Sequence, residues 1–349
     1  MSNYAPALER TRGTRAESLH YAAAALVDSS GRLLASIGNP QLETFLRSSA
    51  KPFQAIPFIE QGGARAFGLI PREISQICAS HTGTDMHAEA VSGIQAKIDV
   101  EEQHLQCGVH PPIDKETTER LIIAGKKPTP LRHNCSGKHT GMLAFAQMRD
   151  LPVENYLDTE HPIQKEILAA FSEMCQIDPA KINLGTDGCS APNFAIPLYN
   201  AALGFARLCD PRELTPKRAN ACQTITSAMM AHPEMVSGFG RFDTRLMQVG
   251  RGKLVVKGGA EGYQAVGILP NLTEANPMGV GIALKISDGD TTEKVRAAVM
   301  IEILRQFGIL NESELAELAE LGPVNPIFNW RKLRVGESRP VFELKKEND

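Results

Sequence analysis

The sequence predicts an α/β (α+β) fold: a mixed antiparallel sheet assembled from both ends of the chain, with a largely helical middle region. Three observations predict it. Residues 21–37 carry strand patterns, the segment from 253 onward carries them again, and the stretch from about 85 to 235 carries helical ones. Strands at both ends with helices between them require a sheet that the termini share. The 349 residues are therefore read as a single intertwined unit, with a helical subdomain at about 85–235 inserted between sheet-forming ends. No internal repeat and no low-complexity run is present.

The first element, YAAAALVDSSGRLLASI (21–37), sets two apolar runs around a Ser-Ser-Gly turn and reads as a β-hairpin. TFLRSSAKPFQAIPFIEQGGA follows, with Ala, Phe and Ile at helical spacing, a serine pair suited to a cap and Gly62-Gly63 as a stop. Pro52 fits a first turn beginning near Ser48 or Ser49, whereas Pro57 is expected to kink or end the helix. Helical patterns then recur in HAEAVSGIQAKI, HPIQKEILAAFSEM and ELTPKRANACQTITSAMMAHP. From 253, KLVVKGG, YQAVGILP and GVGIALKISDGD read as strands, and TTEKVRAAVMIEILRQFG and ESELAELAEL as amphipathic helices.

Composition excludes several function classes. With 37 basic against 40 acidic residues, the net charge of -3 offers no cationic field for a phosphate backbone, and aromatics at 5% leave little for base stacking. No nucleic acid partner is expected. No stretch approaches the roughly 18 continuous apolar residues that span a bilayer, and MSNYAPALERTRGTRAESLH lacks the apolar core of a signal peptide. No membrane contact and a cytoplasmic location are expected. The seven cysteines, an odd number scattered over a long chain, read as reduced thiols, so one with a task is catalytic or a ligand.

Three places carry chemistry. Ser48-Ser49-Ala50-Lys51 is an S-x-x-K at a predicted helix start, where a spacing of three sets the lysine one turn along on the serine's face. A serine nucleophile needs such a base, and a capping serine with a surface lysine is the plainer reading. Lys257-Gly258-Gly259 ends a predicted strand and resembles the K-T-G element that follows S-x-x-K in serine penicillin-recognising enzymes, with glycine in place of threonine. Ser80, after the apolar run ISQICA, is placed at a strand-to-loop junction, either as a turn serine or as a hydroxyl entering a site. In the third place, Cys135, Lys138 and His139 start a helix and Asp187 and Cys189 lie in a later loop. Thiolates, imidazole and carboxylate together suit a zinc-like ion, and two ordinary buried thiols are the alternative. His20, His104, His161 and His232 read as caps, turns or surface.

The strings RSSAKPFQ, CASHTGTDMHAE, CGVHPP, HNCSGKHTGML, GTDGCSAPNFAIPL, HPEMVSGFGRFDT and KGGAEGY, in this order, resemble the rhizobial-type (thermolabile, asparaginase II-like) L-asparaginases from about Arg12 to near the C-terminus. The resemblance implies a fold similar to serine β-lactamases and glutaminases, a homodimer, and hydrolysis of L-asparagine to L-aspartate and ammonia. It implies two serine-lysine pairs, Ser48 with Lys51 and Ser80 with Lys257, and a zinc held by Cys135, Lys138 and Cys189. Arg47, His139 and Asp187 match neighbouring substrate-binding positions; Arg47 suits an α-carboxylate and Asp187 an α-ammonium. Ser48 is then the expected nucleophile and Lys51 its base. An L-glutaminase, a β-lactam-interacting serine hydrolase and a non-catalytic zinc-binding scaffold are the competing readings.

Overall fold

The computed structural model describes residues 3–272 and 277–347. Its strands, in chain order, are β1 (Ala5–Arg12), β2 (Arg15–Asp28), β3 (Leu33–Ile37), β4 (Glu43–Phe45), β5 (Asn183–Thr186), β6 (Pro192–Pro197), β7 (Leu254–Gly258), β8 (Tyr263–Ile268), β9 (Val280–Ile286), β10 (Asn325–Phe328), β11 (Arg334–Pro340) and β12 (Lys345–Lys346). The α-helices are α1 (Lys51–Glu60), α2 (Gly63–Ala66), α3 (Pro71–Ile77), α4 (Asp85–Lys97), α5 (Lys115–Ile123), α6 (Ser136–Met148), α7 (Pro162–Cys175), α8 (Leu198–Cys209), α9 (Pro216–Ala231), α10 (Pro233–Ser237), α11 (Phe242–Gly250), α12 (Lys294–Gln306) and α13 (Glu312–Glu317). The chain forms two compact units. One comprises Met1–Ser49, Ile196–Asp210 and Arg245–Asp349, and the other Ala50–Ala195 and Pro211–Thr244.

The first unit holds a nine-stranded sheet in the order β10-β11-β1-β2-β9-β8-β7, with β3 on β2 and β12 on β3. These pairings are antiparallel. The hairpin read at 21–37 is β2-β3, and its Asp28 carboxylate accepts from the Ser30 and Arg32 amides to shape the turn. The run Ala22–Val27 is wholly buried, so both faces of β2 are covered, as an unbroken apolar strand requires. Helix α8 packs on β2, β8 and β9, and α12 packs on β1, β8, β9 and β11. Three β1 residues, Ala7, Leu8 and Thr11, are buried, whereas most of β10 and β11 is exposed or half-buried.

The second unit is mainly helical. Its helices α1, α6, α7 and α9 meet around Phe53, Phe58, Phe145 and Phe171, with Phe53 and Phe171 edge to face at 5.7 Å. The unit begins at Ala50, well before residue 85, because α1 buries nine of its ten residues against these helices. Pro57 does not end α1, which runs on to Glu60. Pro52 sits in the first turn, where its missing N–H costs no intrahelical bond. Gly62 with φ +85 then turns the chain, as a stop glycine should. ISQICA is helical and not a strand: Pro71 starts α3, and the Glu73 carboxylate caps the Ile70 amide at 2.9 Å. Helix α13 spans only six residues of the longer helix expected from ESELAELAEL.

Among the described residues no helix is long and apolar enough to cross a membrane. None of the seven cysteines is in a disulfide, and all are buried.

The seating of α8 on the sheet can be tested at one backbone contact. A Cβ on Gly281 of β9 would lie 1.8 Å from the Ala202 carbonyl oxygen of α8, where only glycine fits. Gly281→Ala is expected to destabilise the protein by about 1–3 kcal/mol through overpacking, read as a lower urea midpoint.

Candidate active site

Lys51 opens α1 with its side chain 1% exposed, so its ammonium has to find partners inside the protein. It finds three. Nζ donates to the Ala79 carbonyl at 2.6 Å, to Ser80 Oγ at 2.7 Å and to Cys135 Sγ at 3.2 Å. Two segments set the three partners. Ser80 follows the end of α3, held by its amide to the Val236 carbonyl at 2.8 Å, and the next amide, of His81, bonds the Asn134 carbonyl. Cys135 stands at the N-cap of α6, where the helix dipole favours a negative charge. Lys51 and Ser80, assigned to different serine-lysine pairs by the resemblance, are hydrogen-bonded to each other here.

The two sulfurs lie together. A hydrogen bond from Cys189, reinforced by the ammoniums of Lys51 and Lys138, holds Cys135 well below the ordinary thiol range despite its burial. Cys189, next to this anion and itself buried, is pushed up and keeps its proton. Lys138 Nζ donates to Cys189 Sγ at 2.9 Å. Burial alone would lower the Lys138 pKa, but the sulfurs of Cys189 and Cys135 outweigh it and hold the amine protonated. Asp187 shapes the loop that brings Cys189 in, since its Oδ1 accepts from the Gly188 amide at 2.8 Å and its Oδ2 lies 3.9 Å from Cys189 Sγ. His139, one turn into α6, is fully buried: Nδ1 meets Tyr156 Oη at 2.6 Å, and Nε2 is buried without a hydrogen-bond partner among the described residues. Burial, with Lys138 adding to it, lowers its pKa to about 4.

The zinc implied by the resemblance can be judged against this donor set. An amine and a sulfur 2.9 Å apart, with the Cys135 sulfur close enough to act on both electrostatically, would supply three of the four ligands of a tetrahedral ion, so the residues present fit such an ion. Among the described residues no three His, Cys, Asp or Glu side chains form a metal-holding group, so a site here needs Lys138 as ligand.

In the sheet unit, Lys257 lies at the end of β7, 1% exposed, with Nζ donating to the Gly258 carbonyl at 2.8 Å. The expected capping role of the serine pair is not taken by Ser49. Its hydroxyl instead donates to the Lys257 carbonyl at 2.7 Å. Gly259 allows this approach, because a Cβ there would stand 2.4 Å from the Leu46 carbonyl oxygen. Ser48 is half-buried in the 3₁₀ turn Arg47–Ala50, which runs straight into α1. Arg47 has φ +53, a left-handed conformation that costs a non-glycine residue energy and is found at functional positions. Its guanidinium, added to burial, lowers the Lys285 pKa against the opposing pull of Glu261 and Asp288.

Sequence reasoning missed a group of histidines beside Lys51 and Cys135. His81 accepts the Gly83 amide on Nδ1 at 3.1 Å and so offers Nε2–H to Ser136 Oγ at 2.9 Å; its ring stacks on His87 at 4.8 Å. His133 accepts the Cys135 amide at 3.0 Å, and His110 the Asn134 amide at 3.1 Å. The sequence signal was the clustering of His81 and His87 after ISQICA and of His133 beside Cys135. Of the histidines read as bland, His161 caps α7 through the Ile163 amide, and His20 pairs with Asp288 at 2.5 Å.

Comparison with known proteins adds the following. A family model described as L-asparaginase II matches residues 8–340. No curated protein matches the chain. Among solved structures, a Bacillus glutaminase crystallised in 4.3 M NaCl aligns at 11% identity over 82% of this chain and 91% of its own, with a TM-score of 0.36.

Two predictions follow from the electrostatics. Burial pushes His81 well below 6.5 and His87 and His133 to about 4, so the fold favours their neutral forms. Stability is then complete above about pH 6.5 and is lost as pH falls toward about 4, read as a declining denaturant midpoint over that window. An ion ligated by Lys138 must displace its proton, so zinc affinity measured against a competing chelator should tighten from pH 6 to pH 8. A pH-independent affinity would remove Lys138 from the ligand set.

Proposed function

The chain belongs to the L-asparaginase II family and is on that ground an amidohydrolase; we propose that its substrate is L-asparagine and that it works by serine-lysine acyl transfer. The observation that carries this reading is the buried Lys51 amine with Nζ 2.7 Å from Ser80 Oγ, a serine and a lysine in hydrogen-bond reach inside the protein, the lysine serving as base in its neutral form. In the proposed course a serine hydroxyl attacks the side-chain amide carbon while a lysine takes its proton. Ammonia leaves after receiving that proton, and water releases aspartate from the acyl-enzyme. Backbone N–H groups, that of the nucleophile among them, would face the oxyanion.

The reading takes Ser48 as nucleophile with Lys51 as its base, and Ser80 with Lys257 as the supporting pair. The Lys51–Ser80 hydrogen bond favours a second form in which Ser80 attacks and Lys51 is its base. Arg47, with Lys285 adding a second positive charge, is proposed to hold the α-carboxylate, and Asp187 the α-ammonium. His139, wholly buried, is proposed to serve the substrate site through its neighbours. Zinc, when bound by Cys135, Lys138 and Cys189, would supply a fixed positive charge that orients substrate at its open position. Asparagine over glutamine is the finer part of the proposal, because one methylene in a pocket discriminates by only about 1–3 kcal/mol.

The test is ammonia release from L-asparagine and L-glutamine by the wild type and by Lys51→Met, Ser48→Ala and Ser80→Ala. Wild-type release from asparagine, lost by a factor of about 10³ or more in Lys51→Met, is the expected outcome. The serine whose alanine variant falls as far is the nucleophile. Undiminished release in Lys51→Met would overturn the mechanism. Acylation by a fluorescent penicillin without ammonia release would move the chain to the β-lactam-interacting class.

A further inference from the structure

Gly238-Phe239-Gly240 follows α10 directly, within the helical unit. Phe239 is 70% exposed and is the one exposed large aromatic among the described residues of that unit. Isolated apolar residues on a surface are ordinary, so its place is what counts. Two contacts fix that place beside the stretch that carries Ser80. Three residues before Phe239, the Val236 carbonyl accepts the Ser80 amide at 2.8 Å. One residue before it, Gly238 at φ +99 presses on Thr82, where a Cβ would stand 2.3 Å from the hydroxyl oxygen. The Thr82 carbonyl also accepts the Asp114 amide at 3.0 Å, which brings Ile113, 41% exposed, to the same residue. Two exposed apolar residues thus flank the Ser80–Thr82 stretch.

The two glycines around Phe239 differ in their surroundings. Gly238 is clamped against Thr82, whereas a Cβ on Gly240, at φ +71, would meet nothing within 4 Å. The backbone before the ring is therefore held and the backbone after it is sterically free, the arrangement of a hinge with one fixed end. Closing such a hinge has a physical return. A ring left in water gains free energy when it is covered, and a serine-lysine pair shielded from water feels stronger electrostatic interactions. We propose that Phe239 is a substrate-contacting residue: when a short amide lies beside Ser80, the Gly238–Gly240 segment turns and the ring folds onto the ligand's aliphatic carbon, capping the pair. The inference rests on the reading of Ser80 and Lys51 as part of the reacting site, and it adds to that site an apolar group that no catalytic motif marks.

The test uses the composition of the chain. Its only tryptophan, Trp330, is fully exposed in the other unit, so Trp330→Phe combined with Phe239→Trp makes a single fluorescent reporter at the cap. With L-aspartate, the product of the proposed reaction, added at a concentration that inhibits wild-type turnover, the emission should shift to the blue and quenching by acrylamide should decline. In parallel, Phe239→Ala should lower kcat/KM for L-asparagine about 10–100-fold, as expected when one phenylalanine ring loses its burial. Its urea midpoint should stay at the wild-type value, because a residue 70% exposed adds little to the fold. Phe239→Leu, which keeps an apolar group, should recover most of the lost rate. A reporter as open to acrylamide with L-aspartate as without it overturns the inference, and so does a Phe239→Ala enzyme with wild-type kcat/KM. A midpoint that falls together with the rate would make the residue structural and overturn it as well. Ammonia release by the wild type is the control: none from asparagine sinks the proposed function and this cap with it, whereas release combined with any of those negative results sinks the cap alone.

Discussion

A lysine ammonium that cannot reach water must be given acceptors by the protein, and Lys51 organises its unit through that demand. The group offers three hydrogens, and two segments bring the three acceptors: the Ala79 carbonyl and the Ser80 hydroxyl from one, the Cys135 sulfur from the other. These segments are the chain after α3 and the start of α6, and they are themselves joined by the His81 amide bonding the Asn134 carbonyl. Leaving such a charge short of a partner is far more costly than losing a surface ion pair, so the two segments are held where the ammonium needs them. A serine brought within hydrogen-bond reach of a buried amine is the same arrangement that amide hydrolysis by a serine needs.

Charge balance around that lysine explains the chemistry of its neighbours. Lys51 and Lys138 face two sulfurs, one of which, Cys135, carries the negative charge while Cys189 donates to it. Histidines fill much of the remaining wall, and they stay neutral because burial disfavours a further cation there. His81, His110 and His133 each accept a backbone amide, so their ring nitrogens serve as fixed acceptors shaping the loops that carry Ser80 and Cys135. The histidines are thus architectural, and the thiolate with its two lysines is the polar centre of this unit.

In the sheet unit a close backbone approach plays the corresponding part. Gly259 leaves no Cβ between the turn after β7 and the Leu46–Ser49 segment, so the Ser49 hydroxyl can bond the Lys257 carbonyl. Arg296 of α12 holds the same turn by donating to the Gly259 and Tyr263 carbonyls. Lys257 therefore stands on a strand end that is braced from two sides, and Arg47, held at φ +53, leads into the turn that contains Ser48.

What the sequence by itself determined is what local periodicity and short-range turn chemistry can encode. The β2-β3 hairpin was legible from two apolar runs about a Ser-Ser-Gly turn, α12 from its helical spacing, and the start of α6 at Cys135 from the glycines and polar residues before an apolar run. The strand end at Lys257-Gly258 and the candidate residues Ser48, Lys51, Ser80, Cys135, Lys138 and Cys189 were also readable as motifs in order. Other elements were not, for physical reasons. β1, β10 and β11 carry few buried side chains and so little apolar alternation, and ISQICA is too short a run for periodicity to separate helix from strand. Only the tertiary structure decided that Lys51 bonds Ser80, that Ser49 bonds Lys257, and that Tyr156 meets His139. Those contacts join residues 29, 208 and 17 positions apart. The need to satisfy a buried donor acts through space, and no spacing in the chain records it.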